Sequence, residues 1–158
     1  MKVGVNEIKL EKEDIAEVSK ALNDGWYSST GPYVEKFETD WSTYCSRKYA
    51  VAVSNGTMAL VAAVRALKLD PGDEIIIPNF TIISCALAVL EAGCTPILID
   101  CEPDTLNIDT ELIEEAITPR TKAIMVVHIY GHPSDMQEIL RIAKKYDLVV
   151  IEDAAEAH

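Results

Sequence analysis

Leu148-Val-Val-Ile-Glu-Asp153 is an apolar run that ends in two carboxylates, and small residues follow it at once in Ala154-Ala-Glu-Ala-His158. A run this apolar predicts a strand that is buried on both faces, as in a parallel sheet covered by helices. Such a strand carries Asp153 to its carboxyl end, where open parallel sheets place their binding sites. The run therefore predicts an α/β fold with a polar site at one edge of the sheet.

Four earlier apolar runs have the same character and alternate with helical segments. They predict strands at Ala50–Val53, Glu74–Ile77, Pro96–Ile99 and Ala123–Val127. The spacing of apolar residues predicts helices over about 10–23, 33–45, 57–68, 81–92, 109–117 and 134–146. The predicted fold class is therefore α/β, with a mostly parallel sheet flanked by helices.

Composition and charge exclude several classes of protein. The chain has 158 residues, which suits a single core. No stretch approaches the roughly 20 uncharged residues that cross a bilayer, and the first residues contain no apolar export core, so we expect a cytoplasmic protein. With 26 acidic and 14 basic residues, the net charge of −12 argues against nucleic-acid binding through a basic face. The cysteines form no C-x-x-C pair, which favours free thiols at Cys45, Cys85, Cys94 and Cys101.

A second polar site is predicted where Val51-Ala-Val-Ser-Asn-Gly-Thr57 passes from a strand into a helix. Gly56 has no Cβ, so an anion can approach the amides at the helix start, and the Thr57 hydroxyl adds a donor. An ordinary cap, made by Ser54 or Asn55, is the alternative explanation. A dinucleotide or P-loop site is disfavoured, because the segment has one glycine and no Gly-Lys-Ser/Thr.

Asp153 is the candidate partner of a cationic ring nitrogen. Ala154 and Ala155 leave room for a flat ring, and a carboxylate beside a pyridine nitrogen keeps that nitrogen protonated. Glu156 could face the same space. The alternative is an acid that caps a following helix. Together with an anion site at Gly56, Asp153 predicts a pocket for pyridoxal phosphate.

Two loops carry candidate substrate-binding residues. Tyr130 either reaches a ligand or packs as an ordinary aromatic residue. Trp26, Ser28 and Ser29 either line a substrate entrance or belong to a surface turn.

No metal site is predicted from the histidines. His128 and His132 are four residues apart, but Gly131 and Pro133 keep them from sharing a regular helical face. His158 follows at the end of the chain.

Five blocks, in this order and spacing, resemble the DegT/DnrJ/EryC1/StrS family of sugar aminotransferases: GWYSSTGPYVEKFE, VAVSNGTMAL, IIIPNFTIISCALAVLEAG, VVHIYGHPSDM and VVIEDAAEAH. The resemblance implies the large domain of a fold-type I pyridoxal-phosphate transferase. Residues 1–158 would form its N-terminal part, with 1–48 as a helical and loop segment. Within the family, the chain most resembles enzymes of the perosamine-synthase kind. This resemblance implies that glutamate donates an amino group to C4 of a nucleotide-linked 4-keto-6-deoxy sugar. It also implies a homodimer.

The resemblance also implies roles for single residues. Asp153 falls on the acid that pairs with the pyridine nitrogen, and Glu156 falls near the phenolic oxygen of the ring. Ile82 stands where relatives often place an aromatic residue against the ring. The implied cofactor-binding residues are Asn55, Gly56, Thr57, Ile82, Asp153 and Glu156.

The Schiff-base lysine of the family lies a few tens of residues beyond the block that contains Asp153. The lysines nearest that block, Lys122, Lys144 and Lys145, all precede it. We therefore expect this chain to be the N-terminal part of a larger enzyme and to be inactive alone. The alternatives are a dehydratase of the same family, with histidine in place of the lysine, and a truncated product without catalytic activity.

Overall fold

The computed structural model describes residues 9–157. The predictions that concern the first eight residues and His158 lie outside this range. The chain forms two compact units that divide between Ala52 and Val53. In the described part, no helix is both long and apolar enough to span a bilayer.

The first unit contains two helices, which confirm the helices predicted over 10–23 and 33–45. Helix α1 spans Lys12–Asn23, and helix α2 spans Pro32–Tyr44. Gly31 precedes α2 with a φ of 124°, and a Cβ there would lie 2.4 Å from a ring carbon of Trp26. Glycine is therefore required for both the backbone angle and the packing of the Trp26 ring.

The second unit alternates strands and helices as predicted. Its elements are α3 (Gly56–Ala66), β1 (Glu74–Pro78), α4 (Ser84–Glu91), β2 (Thr95–Ile99), α5 (Thr110–Ala116), β3 (Thr121–Val127), α6 (Met136–Tyr146) and β4 (Val149–Asp153). The strands pair in parallel in the order β2-β1-β3-β4. The α/β class and the parallel sheet are thus confirmed.

Alternate residues of the strands build a core on each face of the sheet. On one face Ile75, Ile77 and Met125 pack with Leu60, Val64 and Val89 of α3 and α4. The other face is formed by Ile76, Ile124 and Val126 with Ile113, Ile139 and Ile142 of α5 and α6. Burial of each such side chain contributes about 1.5–3 kcal/mol, so the sheet is held between two helical layers mainly by apolar contact.

One predicted strand is wrong. Ala50–Val53 has no ladder partner among the described residues, and Val51 is 79% exposed. The Ala52 amide donates instead to the Glu38 carboxylate at 2.7 Å. The apolar run indicated burial, but no described strand lies beside it to bury it.

Candidate cofactor site

A cavity lies at the carboxyl ends of the strands, where the direction of the chain across the sheet reverses. From β1 the chain moves outward to β2 and then returns to place β3 on the other side of β1. Open parallel sheets bind ligands at such a switch point. The cavity measures about 480 Å³ and is lined by Phe80, Thr81, Ile82, Val127, His128, Ile129, Tyr130, Asp153, Ala155 and Glu156.

Helix α4 begins later than the sequence indicated, and this difference shapes the cavity. Its first residue is Ser84 rather than Thr81, so residues 79–83 form a loop beyond the end of β1. Ile82 lies in this loop, lines the cavity and is 62% exposed. Ile82 is therefore accessible from the cavity, and its contact with a ring face, which the resemblance implies, stays a prediction.

Asp153 is the last residue of β4 and lines the cavity. One carboxylate oxygen, Oδ1, accepts the Ala155 amide at 3.1 Å, and the other, Oδ2, lies 3.6 Å from Cys85 Sγ. Residues 154–157 form a turn rather than a helix. The alternative role, capping of a following helix, therefore has no helix to act on within the described residues.

Glu156 lines the same cavity and also holds the loop after β3. Its Oε2 accepts the Tyr130 amide at 2.7 Å. Tyr130 has a φ of 52°, in the left-handed region, and the next residue, Gly131, has a φ of 82°. A Cβ on Gly131 would lie 3.0 Å from the Glu156 carbonyl oxygen. The loop therefore follows a constrained path that leaves the Tyr130 ring 67% exposed at the cavity, edge-on to Phe80.

Buried polar residues support this loop through hydrogen bonds that the sequence did not predict. His128 is 6% exposed, and its Nδ1 accepts the Ser134 amide at 3.2 Å. The Ser134 hydroxyl donates to the carbonyl of Val127. The Asn107 side chain accepts a hydrogen bond from the Ile129 amide and donates one to the His132 carbonyl. All of these residues except Asn107 lie between positions 127 and 134, and Asn107 is 22 to 25 positions from its partners. Sequence reasoning considered His128 and His132 only as metal ligands and did not single out Ser134 or Asn107.

The predicted anion site lies at the start of α3. Asn55 caps the helix, because its Oδ1 accepts the Met58 amide at 3.0 Å. A Cβ built on Gly56 would meet no atom within 4 Å, so the space beside the helix start is open. The Thr57 hydroxyl lies 2.8 Å from the hydroxyl of Ser84, the first residue of α4. The cap that the sequence left as an alternative is thus present, beside an open approach to the first-turn amides.

The first turn of α4 connects the two predicted ends of the pocket. Ser84 contacts Thr57, and the next residue, Cys85, contacts Asp153. The two segments that the sequence proposed to act together are therefore joined through two consecutive side chains. Sequence reasoning missed Ser84 and treated Cys85 only as a buried thiol.

The other predicted substrate residues lie in the first unit. The Ser28 hydroxyl lies within hydrogen-bond distance of the Thr30 hydroxyl and carbonyl, and Trp26 packs against Gly31. These contacts describe an ordered turn, and the roles of Trp26, Ser28 and Ser29 stay predictions. Across residues 9–157, no group of three or more histidine, cysteine, aspartate or glutamate side chains is placed to hold a metal ion.

The fold and the site together define an α/β protein with a ligand pocket at the switch point of a parallel sheet. The model of the DegT/DnrJ/EryC1/StrS aminotransferase family matches residues 8–158, and the chain belongs to this family. The resemblance inferred from the five sequence blocks is thereby confirmed.

Two relatives illustrate the match. The chain is 44% identical to the GDP-perosamine synthase of Caulobacter vibrioides over 156 residues, which cover 99% of this chain and 42% of that protein. It is 46% identical to the dTDP-3-amino-3,6-dideoxy-alpha-D-galactopyranose transaminase of Aneurinibacillus thermoaerophilus, over 96% of this chain and 41% of that protein. The chain therefore spans about two-fifths of the length of these relatives.

Two solved structures show the same architecture. The ntda protein of Bacillus subtilis with bound cofactor PMP superposes with a TM-score of 0.88 at 42% identity, over 94% of this chain and 35% of that chain. A GDP-4-keto-6-deoxymannose-3-dehydratase with a trapped PLP-glutamate geminal diamine gives a TM-score of 0.92 at 30% identity, over 99% of this chain and 42% of that chain. The fold is thus shared by a PMP-bound protein and by a dehydratase.

Proposed function

We propose that the protein to which these residues belong is a pyridoxal-phosphate-dependent aminotransferase. It would transfer an amino group from glutamate to C4 of a nucleotide-linked 4-keto-6-deoxy sugar, in the cytoplasm and as a homodimer. The observation that carries this proposal is the Asp153 carboxylate, which lines a cavity of cofactor size at the switch point of the sheet. Membership of a sugar aminotransferase family supports it.

The residues at both predicted ends have the chemistry that pyridoxal phosphate needs, and the anion end, at Gly56 and Thr57, lies outside the residues that line the cavity. Open space beside Gly56 admits a phosphate to the first-turn amides of α3, where the helix dipole favours negative charge. Because Asn55 already accepts the Met58 amide, the amides of Gly56 and Thr57 are the donors left for an anion. The Thr57 and Ser84 hydroxyls share one hydrogen bond, so the hydroxyl that accepts it keeps its own hydrogen for an anion at the same place.

Each residue around the ring would have a distinct task. When bound, the cofactor supplies the electron sink that amino transfer requires. Asp153 would hold the proton on the ring nitrogen, and Ile82 would cover one ring face. Glu156 holds the Tyr130 loop through the Tyr130 amide and also lines the cavity. Tyr130 would then meet the substrate at the mouth of the cavity.

The resemblance places the Schiff-base lysine beyond Asp153, so we expect residues 1–158 by themselves to bind the cofactor weakly and not to transaminate. A dehydratase is the second candidate, because a 3-dehydratase of keto sugars shares the fold at a TM-score of 0.92. Amination at C3 is the variant that the Aneurinibacillus relative suggests by its name.

The test uses the full-length protein from the complete reading frame. Purified protein is reconstituted with pyridoxal phosphate and given glutamate with GDP- and dTDP-linked 6-deoxy sugars, in separate reactions with the 4-keto and the 3-keto form. We expect a visible absorption band that borohydride abolishes, and a 4-amino sugar product identified by NMR. A 3-amino sugar would correct the position of amination, and a 3-deoxy sugar would establish the dehydratase. The absence of any cofactor band would overturn the proposal.

A further inference from the structure

Cys85 is a buried thiol whose surroundings connect it to the proposed cofactor acid. It lies in the first turn of α4, is 0% exposed, and is free of any disulfide. Its Sγ lies 3.6 Å from Asp153 Oδ2 and 3.5 Å from Thr81 Oγ1. Both distances are within the range for hydrogen bonds that involve sulfur.

The thiol keeps its proton under ordinary conditions. Burial raises the pKa of Cys85 to about 11, and the nearby Asp153 charge acts in the same direction. A protonated thiol donates its hydrogen, and an ionised carboxylate can only accept. The contact is therefore a hydrogen bond from Cys85 to Asp153, and the Thr81 hydroxyl can donate to the sulfur from the other side.

Two donors together fix the orientation of a carboxylate that would otherwise rotate. The terminal torsion of an aspartate side chain is broad, so a single contact leaves its oxygens poorly placed. Here the Ala155 amide holds Oδ1 and the Cys85 thiol holds Oδ2. The remaining lone pairs are left for a group in the cavity, which Asp153 lines.

We propose that Cys85 is a positioning residue: its thiol, with the Ala155 amide, fixes the Asp153 carboxylate in the orientation that meets a protonated ring nitrogen in the cavity. This inference rests on the proposed function. A thiol suits the task because it is a weak donor, which orients the carboxylate and withdraws little of its charge. Serine at this position would keep the donor, whereas alanine would remove it.

The first experiment observes the contact directly in the cofactor-free full-length protein. The S–H stretching band lies in an infrared region free of other protein bands, and the difference between wild type and Cys85→Ser isolates the band of Cys85. We expect this band at lower wavenumber than that of Cys94, a buried thiol that lies near the Ala92 carbonyl at 4.0 Å. It should move to higher wavenumber in Asp153→Ala. A Cys85 band that Asp153→Ala leaves unchanged would overturn the inference.

The second experiment measures the consequence in the holoenzyme. We expect Cys85→Ala to lower kcat about fivefold, the loss of one modest hydrogen bond, with KM for the sugar unchanged. Cys85→Ser should stay within about twofold of wild type, and so should the control Cys94→Ala. Equal losses in Cys85→Ala and Cys85→Ser, or no loss in Cys85→Ala, would contradict a positioning role.

The two experiments separate the two proposals. A protein that shows the shifted thiol band but no cofactor-dependent activity would refute the proposed function and leave the contact established. An active enzyme in which Asp153→Ala leaves the Cys85 thiol band unchanged would refute only the role of Cys85.

Discussion

Two carboxylates at opposite ends of the same sheet have different surroundings. Glu74, at the amino end of β1, is 3% exposed, pairs with Arg120 at 2.8 Å, and accepts hydrogen bonds from the hydroxyls of Thr118 and Thr121. Asp153, at the carboxyl end of β4, accepts one amide and one thiol and still lines a cavity. The Glu74 carboxylate is occupied by partners within the fold. The Asp153 carboxylate still has acceptor positions that a ligand in the cavity can use.

The comparison separates structure from function within one unit. When a buried charge is fully paired, breaking the pair is costly for the stability of the fold. A charge that is oriented but left partly unpaired beside a cavity is the arrangement that a cofactor needs. Substitutions at the two ends should therefore affect different measurements.

The largest effect is expected from Asp153→Asn. The amide no longer holds a proton on the ring nitrogen, so transamination by the full-length enzyme should fall by about 100-fold or more. The free energy of unfolding should change by less than about 0.5 kcal/mol, because the side chain is partly exposed. Steady-state kinetics and urea unfolding measure the two effects. A variant with near wild-type kcat would place the essential acid elsewhere.

Glu74→Gln should show the opposite pattern. Loss of the charge weakens the pair with Arg120 and the bonds from Thr118 and Thr121, so the free energy of unfolding should fall by about 2 kcal/mol. Cofactor affinity should not change. Glu91→Gln is the control, since its pair with Arg65, at 3.6 Å, is well exposed and contributes less than about 0.5 kcal/mol. Equal effects of the two substitutions would remove the distinction between the two ends.

Gly131→Ala tests the path of the loop at the carboxyl end. We expect a loss of about 1.5 kcal/mol in unfolding free energy, because alanine is strained at a φ of 82° and its Cβ crowds the Glu156 carbonyl. Gly72→Ala is the matched control: its φ is 85°, but a Cβ there meets nothing within 4 Å. It should cost only about 1 kcal/mol, from backbone strain alone. A larger loss in Gly72→Ala would show that crowding at Glu156 has no effect.

The smallest effect is a dependence on pH at the amino end. The hydrogen bond from Thr118, with the contributions of Arg120 and Thr121, holds the pKa of Glu74 below its usual value. A lowered folded-state pKa stabilises the fold above the unfolded pKa of about 4.3, and this stability is lost as pH falls through the folded value. The difference in the free energy of unfolding between wild type and Glu74→Gln should thus be constant at about pH 5–8 and should decrease below about pH 4. Urea unfolding across that pH range measures this difference. A difference that increases in acid would contradict a lowered pKa of Glu74 in the folded state.

Much of the fold was predictable because apolar runs and turn residues are local signals. The strands near 74, 96, 123 and 148 followed from their composition, and Asp153 followed from its place at the end of a run. The error at Ala50–Val53 has the same origin: an apolar run indicates burial but does not say what covers it.

The parts that were not predictable depend on residues far apart in the chain. Cys85 and Asp153 are 68 positions apart, and Thr118 and Glu74 are 44 apart. No spacing rule links such pairs, because the sheet alone brings them together. For the same reason, the sequence could name Glu156 as a cavity residue but not as the acceptor of the Tyr130 amide.

The most direct test of the account is the protonation state of the cofactor nitrogen. Pyridoxal phosphate labelled with ¹⁵N in the ring is bound to the full-length protein, and its chemical shift is compared between wild type and Asp153→Asn. The account predicts a protonated pyridine nitrogen in wild type and a deprotonated one in the variant. The same shift in both proteins would mean that Asp153 does not face the ring, and would contradict the central claim.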